Sequence, residues 1–432
     1  MQQPDYIPYS RKKSKGVILI SAIILALVIV GFFIYKIPRI NRAINYRLDI
    51  AITYFRRLVK PVSSLPTPAV KNESEVPDPA VTTESVATFT PEPTVTPVFT
   101  PTATLVPTPI PVQLQLVPPA YDETRDKQDW NNCGPATMAL YLRYFGWEGN
   151  QFDISKVIKP TRDDRNVNVE ELVHFIRTKT GWLKAEFRVG GDLDTLKKLI
   201  AAGIPVMIEE TFTTDRQYWP DDDQWSGHYL LVTGYDDGPQ VFTVHDSEVG
   251  PNQQMTYVEL DENWESFNRV YIMVYFPEKE ADIQLALGAD WDVDVNRQNA
   301  LDTAQKAAWS QPKNAFAWFN VGTNLVYFEK YTEAAEAYNT ARTLGLPQRM
   351  LRYQFGPFIA YFHSLQTDEL MALTRYALDI TRTSEEAMLW RGWAEYRRGN
   401  SAQALSYFRD ALRIRPDYVD ATYAIDFLNS EG

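Results

Sequence analysis

Cysteine is nearly absent from this chain: Cys133 is the only one in 432 residues. A single thiol excludes an intrachain disulfide framework and the metal sites that need several sulfurs. Histidine is almost as scarce, with His174, His228, His245 and His363 the full set. None lies in an HExxH or His-Cys spacing, so no metal and no cofactor is expected. Basic residues are outnumbered, 43 Lys and Arg against 55 Asp and Glu, for a net charge of −12. Nucleic-acid binding normally wants a basic face, so no nucleic-acid partner is expected. The chain also lacks a P-loop motif, which excludes an ATPase of that class.

Charge is missing altogether from GVILISAIILALVIVGFFIY, residues 16–35. About twenty apolar residues match a bilayer core of roughly 30 Å. The run is longer than a signal-peptide core, and Lys36, Pro38 and Arg39 follow it instead of a small-residue cleavage site. It is expected to be an uncleaved transmembrane helix over 17–35, after a basic tail over 1–16 containing Arg11, Lys12, Lys13 and Lys15. Lys36, Arg39, Arg42 and Arg47 nearly balance that tail, so the positive-inside rule does not choose an orientation. Residues 36–60 carry Ile40, Ile44, Leu48 and Ile52 at four-residue spacing, as an amphipathic juxtamembrane helix would. Residues 61–112 are rich in Pro and Thr, which hold a chain extended and deny it backbone donors. This stretch reads as a disordered linker. Pro/Thr stalks commonly hold domains off a cell surface, so a single-pass cell-membrane protein with extracytoplasmic C-terminal domains is expected.

The lone thiol lies in QDWNNCGPATMALYLRYFGW, residues 128–147. Pro135 suits a first helical turn, Met138, Ala139, Leu142 and Phe145 recur at three- and four-residue spacing, and Gly146 is a natural stop. Cys133 is therefore expected at a helix N-terminus, where unpaired N–H groups and the helix dipole favour a thiolate. From five residues upstream, the Gln128 amide has the reach to donate to an oxyanion near the sulfur. A buried structural cysteine would read the same way in isolation, and a partner base separates the two readings.

SGHYLLVTGYDDGPQVFTVHDSEVG, residues 226–250, supplies one. It reads as a hairpin: an apolar strand from His228 to Gly234, a turn at Asp236-Asp237-Gly238-Pro239, and a returning strand Val241–Val244. A turn centred near 238 brings position 228 opposite 246–248. Alternation lets only one of His245 and Asp246 face His228, and the aspartate can orient an imidazole. Between the two segments, IPVMIEE reads as a buried strand. Residues 211–227 read as a lid or substrate loop with Asp221–Asp223 solvated.

Together QDWNNCGPA, GHYLLVTGYDD and VHD resemble the C39-like branch of the papain-like cysteine peptidases, over about residues 115–277. The resemblance implies an α+β fold in which a helix carrying the cysteine packs on an antiparallel sheet carrying the histidine and aspartate. It implies Cys133 as nucleophile, His228 as general base, Asp246 as its orienting group and Gln128 in the oxyanion hole, acting on a peptide or protein substrate. The best-known members trim leader peptides after a double glycine. Transport-coupled members carry a transporter and an ATPase in the same chain, and this chain has no ATPase motif. Export coupling and double-glycine specificity are therefore not implied.

From about residue 283 to 432 glycine thins out and alanine rises. Gly322, Ala334, Tyr338 and Ala341 match Gly392, Ala404, Phe408 and Ala411, about twice a tetratricopeptide period of 34 apart. A degenerate copy is expected around 350–382, giving three tetratricopeptide (TPR) repeats capped by VDATYAIDFL. Such an all-α array exposes a groove for a protein partner.

The chain thus reads as multidomain: a membrane helix, a disordered linker, a papain-like α+β domain and an all-α array of repeats. The expected function is a membrane-anchored cysteine peptidase whose repeats recruit a substrate or partner. A catalytically silent peptide-binding scaffold and a thiol-dependent acyl transferase are the alternatives.

Overall fold

The computed structural model describes residues 15–69, 110–159 and 167–431. The basic cluster Arg11–Lys13 and most of the Pro/Thr segment lie outside the described residues. The chain divides into two compact units, one of residues up to 62 with 214–224, the other of the remainder.

The first unit holds two helices, α1 (Lys15–Tyr35) and α2 (Pro38–Val59), with Pro38 starting the second as a first-turn proline should. Apolar side chains in α1, among them Leu19, Ile24, Leu27 and Phe33, are more than half exposed. Among the described residues no helix is long and apolar enough to cross a membrane. The transmembrane helix expected over 17–35 is therefore not supported as a span by the structure. In α2, Ile44, Leu48 and Ile52 form an exposed apolar stripe. Loop 214–224 corrects one expectation. Asp222 is only 3% exposed and accepts from Tyr218 N (2.8 Å) and Gln224 N (3.0 Å), so it organises the loop instead of standing in solvent.

The second unit begins with a seven-stranded antiparallel sheet: β1 (Gln113–Gln115), β2 (Lys184–Arg188), β3 (Val206–Thr213), β4 (Trp225–Asp236), β5 (Val241–Asp246), β6 (Gly250–Thr256) and β7 (Tyr271–Tyr275). The order is β2-β7-β3-β4-β5-β6, and β1 adds to the far end of β4. Strands β3 and β4 run longer than the sequence suggested, taking 211–213 and 225–227 out of the expected loop. The central strands are buried on both faces. On one face α7 (Leu193–Ala201) and α8 (Tyr257–Glu265) seat Leu199, Leu260 and Trp264 against Ile208, Leu230 and Val244. On the other lies α4 (Cys133–Tyr144), whose Thr137 Oγ1 donates to Tyr229 O (3.0 Å) and whose Tyr141 hydroxyl accepts from Val274 N (2.9 Å). The short α3 (Glu123–Asp126) leads into it, and α5 (Gln151–Ile158) and α6 (Val169–Lys179) follow it, each opened by an Asn capping box.

Helices α9 (Glu280–Leu287) and α10 (Val293–Ser310) lead from β7 into the C-terminal array. The array pairs α11 (Ala315–Tyr327) with α12 (Tyr331–Leu344). After the one-turn α13 (Met350–Tyr353) come α14 (Gly356–His363) with α15 (Thr367–Ile380), then α16 (Glu385–Arg397) with α17 (Ser401–Ile414), and α18 (Val419–Glu431) ends it. The repeat rests on a volume rule. A Cβ on Gly322 would meet the Tyr338 ring at 2.7 Å, and one on Gly392 would meet Phe408 at 2.4 Å, so the first helix gives up its side chain to the aromatic of the second. At the equivalent spacing in the middle pair stand Phe358 and Thr374, both fully buried. The bulk has moved to the first helix, and this exchange is why the middle copy is hard to read.

Candidate active site

Cys133 is the first residue of α4 and is half-buried. The loop before it is stapled by Gln151, whose Oε1 accepts from Asp129 N (2.8 Å) and Asn132 Nδ2 (2.7 Å). Its Nε2 donates to the carbonyls of Arg125 (3.1 Å) and Lys127 (2.9 Å). Gly134 is required by close approach: a Cβ there would stand 3.3 Å from the Tyr229 ring. The absence of a side chain lets the start of α4 sit down on β4.

His228 lies in β4, directly across from Glu210 of β3, and is 2% exposed. Asp246 ends β5 opposite Leu230, one same-face step from His228, so the two side chains meet on the diagonal. His228 Nε2 and Asp246 Oδ1 are 2.8 Å apart. Asp246 Oδ1 also accepts from Glu248 N (2.6 Å) and Val249 N (3.1 Å), which fixes the carboxylate. With Nε2 committed to Asp246, Nδ1 is the ring nitrogen left to face Cys133, which lies near enough to act on the imidazole. Burial alone would push the His228 pKa down. The Asp246 charge and hydrogen bond, with Cys133 adding to them, overcome that and hold it well above the ordinary histidine value. Burial likewise works against the Asp246 charge, and the His228 imidazole and the two backbone donors hold its pKa below the usual carboxylate value.

Gln128 is oriented by its neighbour Ser247. The Gln128 N–H donates to Ser247 O (2.8 Å), and Ser247 Oγ donates to Gln128 Oε1 (2.9 Å). Binding the carbonyl end leaves the amide nitrogen as the end that can donate elsewhere. His245 takes the other face of β5: it is 2% exposed, neither ring nitrogen has a hydrogen-bond partner among the described residues, and burial lowers its pKa to about 4. The structure thus brings Cys133, His228 and Asp246 together, ties Gln128 to Ser247 beside Asp246, and separates His245 from them. His174 is exposed on α6.

Two nearby groups escaped the sequence reading. Glu209 and Glu210 are consecutive in β3, 6% and 2% exposed. Burial raises the Glu209 pKa well above the usual carboxylate value, although the Tyr229 hydroxyl opposes the shift. Burial raises that of Glu210 to about 8, against the pull of His228 and with Asp246 adding to the rise. One Glu210 carboxyl oxygen has no hydrogen-bond partner. The available signal was two adjacent acids inside an apolar strand, a pattern that costs energy unless it does something.

The array also reaches this neighbourhood. Trp225, at the start of β4, stacks on Phe267 (ring centroids 5.7 Å apart, planes 9° apart) and meets Tyr353 of α13 edge-on at 5.7 Å. Arg349 Nη1 donates to Trp225 O (2.9 Å), and the Ser226 and Tyr353 hydroxyls are 2.8 Å apart. The helical region therefore grips β4 three residues before His228.

Residues 109–274 match the model of the Peptidase_C39 like family. The resemblance read from the cysteine and histidine segments is borne out over these residues. Among solved structures, xylellain, a cysteine protease from Xylella fastidiosa, is 14% identical with TM-score 0.30, covering 39% of this chain and 87% of its own. MamA is 14% identical with TM-score 0.29, covering 35% of this chain and 84% of its own. YrrB, a TPR protein with an unusual peptide-binding site, is 17% identical with TM-score 0.19, covering 39% of this chain and 95% of its own. No curated protein matches the chain.

Proposed function

We propose that the chain is a cysteine peptidase that hydrolyses peptide bonds with Cys133, His228, Asp246 and Gln128. The observation that carries the reading is the buried His228–Asp246 pair, 2.8 Å apart, which lies near enough to the only thiol, Cys133, for the two to interact electrostatically. His228 takes the thiol proton, and the Cys133 sulfur attacks the carbonyl carbon, forming a C–S bond. The developing oxyanion is met by the Gln128 amide and the backbone N–H groups at the start of α4. Collapse breaks the C–N bond as the His228 imidazolium returns its proton to the leaving amine. Water then attacks the thioester with His228 as base, releasing the acid and restoring the thiol. Asp246 holds the ring and stabilises its charged form throughout.

The reading extends to the ends of the molecule. Helix α1, uncharged from Gly16 to Tyr35 and mostly apolar on its exposed side chains, acts as the membrane anchor, with the catalytic domain outside the cytoplasm. The repeats recruit a substrate or partner. The test is labelling of the full chain in detergent by a thiol-directed peptide electrophile. The native protein should react much faster than a free thiol, and Cys133→Ala should abolish both labelling and hydrolysis while keeping its Tm. Labelling no faster than glutathione would refute the reading and favour the silent scaffold. An amide product in place of the free acid would reassign the enzyme as an acyl transferase.

A further inference from the structure

The first residues of the Pro/Thr segment do not behave as a spacer. Residues from Ser63 belong to the same compact unit as the sheet and the array. Leu65 is 5% exposed while Ser64 and Thr67 beside it are exposed, the pattern of a single anchoring side chain. Two backbone groups are held by side chains of the array: Arg342 Nε of α12 donates to Pro66 O (2.9 Å), and Glu369 of α15 accepts from Ala69 N through Oε1 (2.8 Å). Prolines 66 and 68 have no N–H, so Thr67 and Ala69 carry the only backbone donors in residues 66–69, and the Ala69 donor is used.

The receptor side chains hold one another in place as well. The Arg342 side chain is 1% exposed. Its Nη1 pairs with Glu369 Oε2 (2.8 Å) and donates to the Tyr361 hydroxyl (2.9 Å), and its guanidinium lies 5.3 Å from the Tyr361 ring centre. Tyr361 in turn donates to Asn339 Oδ1 (2.7 Å). A buried arginine fixed by a carboxylate and a ring keeps Nε aimed at one carbonyl, and the carboxylate's second oxygen waits for one amide three residues on. This is a device for reading an extended backbone, and Leu65, 5% exposed, is the one side chain of the segment buried with it.

We propose that Arg342, Glu369 and Tyr361 form a binding site for an extended leucine-proline peptide, filled in this protein by its own residues 63–69. The other end of the Pro/Thr segment is held on the same unit, where Tyr235 hydroxyl donates to Pro111 O (2.7 Å) and Asp237 N to Val112 O (2.9 Å). The described ends of the segment, residues 63–69 and 110–112, therefore both belong to the second unit. A partner of the same chemistry reaches this site by displacing residues 63–69.

The experiment uses the full chain and a fluorescent synthetic peptide of residues 61–70, PVSSLPTPAV. The native chain, its site already filled, should bind the peptide at least about tenfold more weakly than Leu65→Asp, which frees the site. Arg342→Ala in the Leu65→Asp background should abolish binding. Equal binding by all three chains, or no binding to Leu65→Asp with its Tm preserved, would overturn the proposal. Should Leu65→Asp fail to fold, hydrogen exchange decides. The Ala69 amide should be protected in the native chain and exchange at least about tenfold faster in Glu369→Gln. An unprotected Ala69 amide in the native chain would overturn it equally.

Discussion

Replacing Asp246 by Asn isolates one physical quantity, the charge beside His228. The side chains are isosteric, and Asn keeps a carbonyl oxygen for the Glu248 and Val249 N–H groups now held at 2.6 and 3.1 Å. The loop after β5 should therefore keep its shape. What disappears is the charge that holds the His228 pKa up against its burial. A hydrogen bond to a charged group contributes about 1.5–3 kcal/mol, and at about 1.4 kcal/mol per decade its loss lowers the imidazolium population about 10- to 100-fold. The assay is alkylation by iodoacetamide, which is unambiguous because Cys133 is the only thiol. Below the ordinary thiol pKa of about 8.5, reaction depends on proton transfer to His228, so Asp246→Asn should react about 10- to 100-fold more slowly there. Near pH 10 the two proteins should converge. Superimposable profiles across the whole range would show that the Asp246 charge does not reach the thiol through the ring, and the argument from this geometry would fail.

Other outcomes follow from neighbouring residues. Gln128→Ala should lower kcat about 100-fold or more with little change in KM, because its amide acts on the oxyanion; an effect confined to KM would assign Gln128 to substrate binding instead. Glu210 faces His228 and Asp246 from the sheet and Glu259 and Asn263 from α8, and it holds its proton to about pH 8 where an unfolded chain releases it near 4.3. The native state then binds the extra proton, so stability should fall as pH rises between those values. Glu210→Gln should flatten that slope in thermal melts, and an unchanged slope would refute the assignment. Gly392→Ala sets a methyl 2.4 Å from the buried Phe408 ring. Overpacking of about 1–3 kcal/mol outweighs the roughly 1 kcal/mol gained in helix propensity, so Tm should drop, and Phe408→Leu should restore part of it. A rise in Tm on Gly392→Ala alone would contradict the volume rule.

What this sequence determines by itself is local. Pro135 and the apolar spacing after it put Cys133 at the start of a helix, because a first turn tolerates a missing N–H. The alternation around Asp236–Pro239 makes the β4–β5 hairpin, and the paired Gly322/Tyr338 and Gly392/Phe408 announce the repeated helices through their volumes. Tertiary structure decided the rest, since it depends on partners that no short-range period encodes. The β4–β5 register, with its irregularity between Val232 and Gly234, set Asp246 opposite Leu230 so that it meets His228 on the diagonal. Ser247 chose which end of the Gln128 amide is left to donate. Burial by helices on both faces of the sheet raised the pKa of both Glu209 and Glu210. The middle repeat stayed obscure because Phe358 and Thr374 put the bulk on the first helix instead of the second, so neither marker residue recurs. A proline-rich run reads as a spacer until Arg342 and Glu369, far along the chain, take hold of its backbone.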